Sequence, residues 1–437
     1  MLAGGTVVSR EPGTGVKILD NVNVNIEDSL ITAIGSESLP SPDLTVDCRG
    51  KVLIPALTNA HSHLAMTLLR GVSDNRLLHD WLGEIWQYEK YLTPEHCKAG
   101  MLLASLEMIK SGVGIYVDNY FHQKDMLETA IQSGQKAFLG SGIIEVEILF
   151  DLIGDTSRQL SEAESMLRMT RDNPRVKGSL CPHSPLTCSQ ETLEKSTELA
   201  VHYDALTTIH VSETRDDVFN VQAKTGFSPV EYLDSLSILE RVENLILAHC
   251  VWITGREIQM LGENNVAIAY CPVSGQKLAY GGVAPVPELL EAGAFVCLGT
   301  DGPASNNTLD IIREMRAGVL LIGGDRWNPE IFNKQQIFDA AVHNFARKFL
   351  PGSGMVAEGM QADITVLNFQ QPHLIPVHDY LSNLVYCASG QDVDSLFIDG
   401  QPLMLNKEVL TLDENSVTSI ARKSARAVQE AVESEKK

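Results

Sequence analysis

Between residues 52 and 302 the chain alternates short apolar runs with stretches patterned for helices. The eight runs are "VLIPALTNAH", "VGIYVDNY", "AFLGSGI", "VKGSLCPH", "ALTTIHVSE", "NLILAHC", "VAIAYCP" and "AFVCLGTDG". Helical patterns such as "PEHCKAGMLLASLEMIKSG" and "QETLEKSTELAVHY" lie between them. The first of these helices is entered through Thr93, Pro94 and Glu95 and closed at Gly112, which supplies a cap, a first-turn proline and a terminator in the right order. Eight strands alternating with helices over about 250 residues is the arithmetic of a (β/α)8 barrel. A doubly wound open sheet is the competing arrangement, because alternation alone does not close a circle.

The flanks lack this alternation. Residues 1–54 carry "NVNVNIEDSLITAIG", short-period alternation around a turn with no helix. Residues 355–412 carry "ADITVLNF" and "DSLFIDGQPLML", again short strands broken by Gly, Asp and Asn. The fold class expected is therefore α/β: a TIM-like barrel over residues 55–354, inserted into a small β-sandwich built from both termini. Residues 413–437, ending in "AVQEAVESEKK", read as a solvated helix or tail that frays at its charged end.

Composition narrows the partners. The formal charge of −22 argues against nucleic acid or an anionic membrane, both of which attract basic surfaces. No apolar run approaches the roughly 18 residues of a membrane span. The opening "MLAGGTVVSREPG" lacks the basic-then-apolar pattern of a secretory signal. The eight cysteines form no CxxC pair, and several sit in strand-like runs, where buried free thiols are expected. These features predict a reduced, cytoplasmic protein, and the charge favours solubility and little else.

In such a barrel, function sits where strands end, at the carboxyl face. The first run breaks into Asn59-Ala60-His61-Ser62-His63, and residues i and i+2 of a strand face the same side. The fourth run ends in His183, and the fifth in His210 with Glu213 three residues on. The sixth ends in His249, and the eighth in Asp301. Five of the 12 histidines and one aspartate thus converge on one rim. One buried histidine is usually a satisfied core residue; five at strand ends point to a metal.

The ordered set "NAHSHLAMTLLRG", "CPHSP", "IHVSET", "LAHC" and "LGTDGPASNN" resembles the amidohydrolase superfamily, and within it the S-adenosylhomocysteine/5′-methylthioadenosine deaminases. The resemblance runs from about residue 15 to residue 410. It implies a metal held by His61, His63, His210 and Asp301, a donor set suited to one Zn2+, with Fe2+ or Mn2+ as alternatives. Binuclear branches bridge two metals through a lysine or glutamate ending the fourth strand, and "CPHSP" holds neither. The implied reaction is attack of an activated water on C6 of an adenine ring, releasing ammonia and leaving hypoxanthine. Asp301 would take the water's proton, Glu213 would protonate ring N1 and His249 would steady the attacking oxygen. For the substrate, the resemblance implies Trp81 as an apolar wall, Glu89 as a clamp on the ribose diol and His183 as a nucleoside contact. Barrels of this type are often homo-oligomers.

The chain also departs from the pattern. Ser141 stands where the family often has an arginine for the homocysteine carboxylate, with Arg158 as candidate for a second such contact. "CPVSGQK" places Gly275 where an asparagine is common, Tyr270 replaces a frequent histidine, and Trp252 follows "AHCV". A serine hydroxyl does not replace a planar bidentate arginine, so weaker use of S-adenosylhomocysteine than of 5′-methylthioadenosine, adenosine or 5′-deoxyadenosine is expected. The alternatives are a guanine, pterin or other N-heterocycle hydrolase with the same metal site, and a barrel kept as a binding or assembly subunit after losing catalysis. The second should have lost ligands, and this chain keeps them all.

Overall fold

The computed structural model describes residues 1–11, 15–37, 39 and 41–435. Eight parallel strands form one sheet whose spatial order follows the chain: β1 (Leu57–Ser62), β2 (Val113–Tyr120), β3 (Lys136–Ile143), β4 (Val176–Pro182), β5 (Thr207–Val211), β6 (Leu245–His249), β7 (Ala267–Tyr270) and β8 (Phe295–Leu298). The sheet bends round on itself. Its two ends meet where Asp301 N donates to His61 O at 3.0 Å and Ser62 bridges Asp301 in parallel. An open doubly wound sheet would leave these ends apart.

The helices begin where their capping residues dictate. Pro94–Lys110 starts on Thr93, whose Oγ1 accepts from His96 N while His96 Nδ1 accepts from Thr93 N. Gln190–Tyr203 starts on Ser189, whose side chain accepts from Thr192 N. Their apolar faces cover the outside of the barrel.

The first apolar run divides. Lys51–Pro55 belongs to the terminal sheet and β1 to the barrel, with the break at Ala56, whose N–H donates to Asp363 O. An unbroken apolar pattern cannot show that its two halves lie in different sheets. Lys51–Pro55 runs antiparallel to Ile364–Asn368, pairing Pro55 with Ile364 and Lys51 with Asn368. Nine strands from both ends of the chain thereby join in one mixed sheet, with a core of its own that includes Leu2, Val24, Leu53, Ile364 and Val366.

The terminal segment differs from the solvated helix that its charge suggests. Glu414–Glu435 buries Val417, Ala421, Val428 and Val432, a helical stripe, against Pro94–Lys110. Seven cysteines are buried and Cys387 is exposed, all as free thiols. Among the described residues no helix is long and apolar enough to cross a membrane.

Candidate metal-dependent active site

The carboxyl rim gathers the strand-end residues. His61 lies in β1 and His63 just past it; His183 follows β4; His210 lies in β5 with Glu213 two residues beyond; His249 closes β6; Asp301 follows β8. The backbone turns sharply at these places: Ser212, His249, Cys250 and Asp301 all take positive φ, at 51°, 75°, 47° and 61°. Such conformations cost of order 1–3 kcal/mol each in residues with a side chain and cluster at functional sites. Gly299 lets β8 come close to β1, since a Cβ there would sit 2.9 Å from His61 Cβ and 3.0 Å from Cys271 Sγ.

The side chains converge on one point. His63 Nε2 lies 3.1 Å and His61 Nε2 3.5 Å from Asp301 Oδ1, while His210 Nε2 lies 3.4 Å from His63 Nε2. The far ring nitrogens are pinned from behind: His63 Nδ1 to Asn119 O at 2.6 Å and His210 Nδ1 to His183 O at 2.7 Å. A ring nitrogen next to a carbonyl must carry the proton, so both Nε2 atoms present lone pairs. Asp301 Oδ2 accepts from Ser274 Oγ at 2.6 Å and Ser305 Oγ at 2.8 Å.

This arrangement fits a divalent cation. Two ring nitrogens facing each other through lone pairs at 3.4 Å repel unless something positive lies between them. His61 Nε2 is buried with no hydrogen-bond partner. Neutral imidazoles with one carboxylate form a borderline-soft donor set. Burial opposes the charge of Asp301, but the neighbouring His61 and His63 rings outweigh it and hold that carboxyl well below the usual range. Burial pushes Glu213 the other way, well above a normal carboxyl. Burial also pushes His183 and His249 down to about 3, so both are neutral rings. His249 Nε2 lies 3.6 Å from Glu213 Oε1.

A cleft of about 700 Å³, counting the solvent at its mouth, opens from this cluster. Trp81, Trp86, Glu89, Tyr120 and His183 line it together with the cluster itself. Glu89 is buried, accepts from Tyr120 Oη at 2.5 Å and is pushed up to about 7 by burial. Arg158 lies outside the cleft, exposed and paired with Glu162 at 2.9 Å, in a neighbouring groove that shares Tyr120, Phe121 and Gly142 with it. Ser141 lines that groove too.

Five contributors escape sequence reading: Asn119, Tyr120, Ser274, Ser305 and Tyr280. Asn119 and Tyr120 end β2, where attention to strand ends would have found them. Ser274 and Ser305 sit inside "CPVSGQK" and "GTDGPASNN". Tyr280 opens the glycine-rich stretch after β7 and gives no signal.

The chain matches the Amidohydrolase family over residues 52–403. It is 38% identical over 424 residues to a 5′-deoxyadenosine deaminase of Methanothermobacter thermautotrophicus, covering 94% of this chain and 97% of that protein. It is also 38% identical over 434 residues to a 5-methylthioadenosine/S-adenosylhomocysteine deaminase of Pelotomaculum thermopropionicum, covering 97% and 98%. Among solved structures, an adenosine deaminase from Xanthomonas campestris with bound zinc superposes with a TM-score of 0.93 at 29% identity, covering 98% of both chains.

Proposed function

We infer the reaction from the premise that this chain belongs to the amidohydrolase family and, like its deaminase relatives, is a hydrolase of carbon–nitrogen bonds. The finer reading is zinc-dependent deamination of the adenine ring in a 5′-substituted adenosine, such as 5′-methylthioadenosine, 5′-deoxyadenosine, adenosine or S-adenosylhomocysteine. The products are the corresponding hypoxanthine nucleoside and ammonia. The observation that carries this reading is a pair of carboxyls pushed apart by their surroundings, Glu213 up and Asp301 down, beside the convergent imidazoles. Divergent carboxyls assign acid and base.

His61, His63, His210 and Asp301 would hold one zinc ion, with iron(II) or manganese suiting the same donors. When bound, the metal makes water acidic enough to act as a nucleophile at neutral pH. Glu213, kept neutral by burial, gives its proton to ring N1 and makes C6 electrophilic. Asp301, anionic and held by two serine hydroxyls, takes a proton from the water and passes it to the departing amine. His249 hydrogen-bonds the attacking oxygen. Glu89 accepts from the ribose hydroxyls, Trp81 walls the cleft, and His183 contacts the nucleoside.

Substrate preference follows from the 5′ side. Among the described residues, the cleft lining contains no lysine or arginine, and Arg158 in the neighbouring groove is already paired. We therefore rank S-adenosylhomocysteine, with its terminal carboxylate, below the smaller nucleosides. The buried Glu89–Tyr120 pair also favours a ribosyl substrate over a free guanine or pterin ring. The buried free thiols suit a reducing compartment, the cytoplasm.

A panel of adenosine, 5′-methylthioadenosine, 5′-deoxyadenosine, S-adenosylhomocysteine, adenine and guanine, followed by ammonia release with and without chelator, tests this. Chelator-sensitive turnover of the nucleosides alone supports it. Preferred turnover of guanine, or of no compound, overturns the adenosine assignment.

A further inference from the structure

Glu89 stands where a carboxylate is least at home. It closes the helix Leu78–Glu89, so it meets the negative end of the helix dipole, and it is only 2% exposed. Among the described residues no lysine or arginine lines the cleft beside it. The one side chain among them that hydrogen-bonds its carboxyl is Tyr120, whose Oη donates to Oε1 at 2.5 Å. That length belongs to a hydroxyl donating to a charged oxygen. A carboxylate offers about four acceptor sites, so one hydroxyl leaves room for two more donors. A vicinal diol brings two.

We propose that Tyr120 is a positioning residue for Glu89: its hydroxyl fixes one carboxylate oxygen, and the carboxylate so oriented selects nucleosides that carry both ribose hydroxyls. A glutamate side chain has three torsions, and a free one would have to be ordered each time a nucleoside bound. A hydroxyl that orders it beforehand removes that cost from binding. The single Tyr120 proton is spent on Glu89, so the phenol has none to give the substrate. A deoxyribose leaves an acceptor of the oriented, buried carboxylate without a donor. Sites built to hydrogen-bond a hydroxyl reject analogues that lack it for this reason.

The two residues are held by different parts of the fold. Tyr120 ends β2, a strand buried along its whole length, and pairs in register with Ser141 of β3. Its ring leans on Phe121, with centroids 5.1 Å apart. Glu89 instead rides on a helix set between β1 and β2, ahead of the wall helix Pro94–Lys110. Leu92 N donates to Glu89 O at 2.8 Å, closing the turn that ends this helix. The Tyr120–Glu89 bond therefore links the barrel rim to the helix that gives the cleft Trp81 and Trp86.

Tyr120 acts here through Glu89, so the inference rests on the reading of Glu89 as the ribose contact, and its test separates the two. The zinc-loaded full-length chain and its Tyr120→Phe, Glu89→Gln and doubly substituted variants are assayed at pH 8 on adenosine and 2′,3′-dideoxyadenosine. Zinc content and melting temperature are measured alongside. The readout is the ratio of kcat/KM for the two nucleosides, because a general loss of structure lowers both alike. Tyr120→Phe keeps the ring and removes the hydroxyl. It should cut the ratio about 5- to 20-fold, mainly through KM for adenosine. A ratio within twofold of wild type overturns the proposal. In the Glu89→Gln background the phenylalanine should change the ratio less than twofold; a loss as large as in the wild-type background also overturns it. If Tyr120→Phe unfolds or loses zinc, a crystal structure of the wild-type chain with inosine bound decides. Tyr120 Oη on Glu89, with the carboxylate on both ribose hydroxyls, supports the role, and a carboxylate released from Tyr120 overturns it. A Glu89→Gln ratio equal to wild type would defeat the ribose reading itself, whereas a lowered one beside an unchanged Tyr120→Phe would defeat only this inference.

Discussion

At the amino rim of the barrel, Lys136 opens β3 and sets its ammonium 2.7 Å from Asp363 Oδ2, 2.7 Å from Asp399 Oδ1 and 3.3 Å from Ser353 Oγ. Asp363 accepts further from Ser353 Oγ and Asp399 N, and Asp399 from Arg175 Nε. Each donor and acceptor is matched, and the network bolts the barrel to the terminal sheet. At the carboxyl rim, equally buried groups are left facing one another through lone pairs, His61 Nε2 has no partner, and the backbone takes left-handed turns. Burial and charge do not distinguish the two rims; satisfaction does. A matched network is a joint, whereas an unmatched convergence costs about 1–3 kcal/mol per orphaned group and is retained because something arrives to complete it.

The contrast breaks if the carboxyl rim turns out to be structural. His61→Ala and Asp301→Ala should each lower turnover at least about 10³-fold while the protein still folds cooperatively; unfolding of both would make that rim a joint as well. The converse applies to Lys136→Met, which takes the ammonium away from the buried Asp363 and the half-buried Asp399. It should lose about 3–5 kcal/mol in a denaturant titration while surviving folded enzyme keeps its kcat. Glu89 sharpens the comparison, as a buried carboxyl inside the cleft. Its raised pKa of about 7 makes this carboxyl anionic only above that pH, so if Glu89 is the proposed ribose clamp, KM for 5′-methylthioadenosine should rise as pH falls from 8 to 6. Glu89→Gln should flatten that dependence and raise KM at pH 8 by about tenfold. The smallest effect belongs to Arg158→Ala. An exposed, solvent-screened pair contributes little, so 5′-methylthioadenosine turnover should change by less than about twofold. A loss confined to S-adenosylhomocysteine would assign that arginine to the carboxylate.

What could be read in advance follows the same division. The strand-end histidines were legible because an apolar run that stops at a polar, metal-capable residue is a one-dimensional signal. The barrel was legible because its period repeats. Tyr280 was not: its contact with Ser274 comes from how a loop lies on Trp252, which no local pattern encodes. The split of residues 51–62 between two sheets was hidden because both halves are apolar, and only pairing with Ile364–Asn368 tells them apart. The stripe Val417, Ala421, Val428 and Val432 was visible, but the charges around it read as a solvated face.

The pairing of Lys51–Pro55 with Ile364–Asn368 also sets a schedule for synthesis. A ribosome adding about 5–20 residues per second needs roughly 15–60 s between making the one strand and making the other. Throughout that interval the amino-terminal strands present an open hydrogen-bonding edge, while the whole barrel is produced between them and their partner. Strands made before the barrel are therefore finished only after it, and nascent chains are exposed to edge-to-edge association for as long as the barrel takes to emerge.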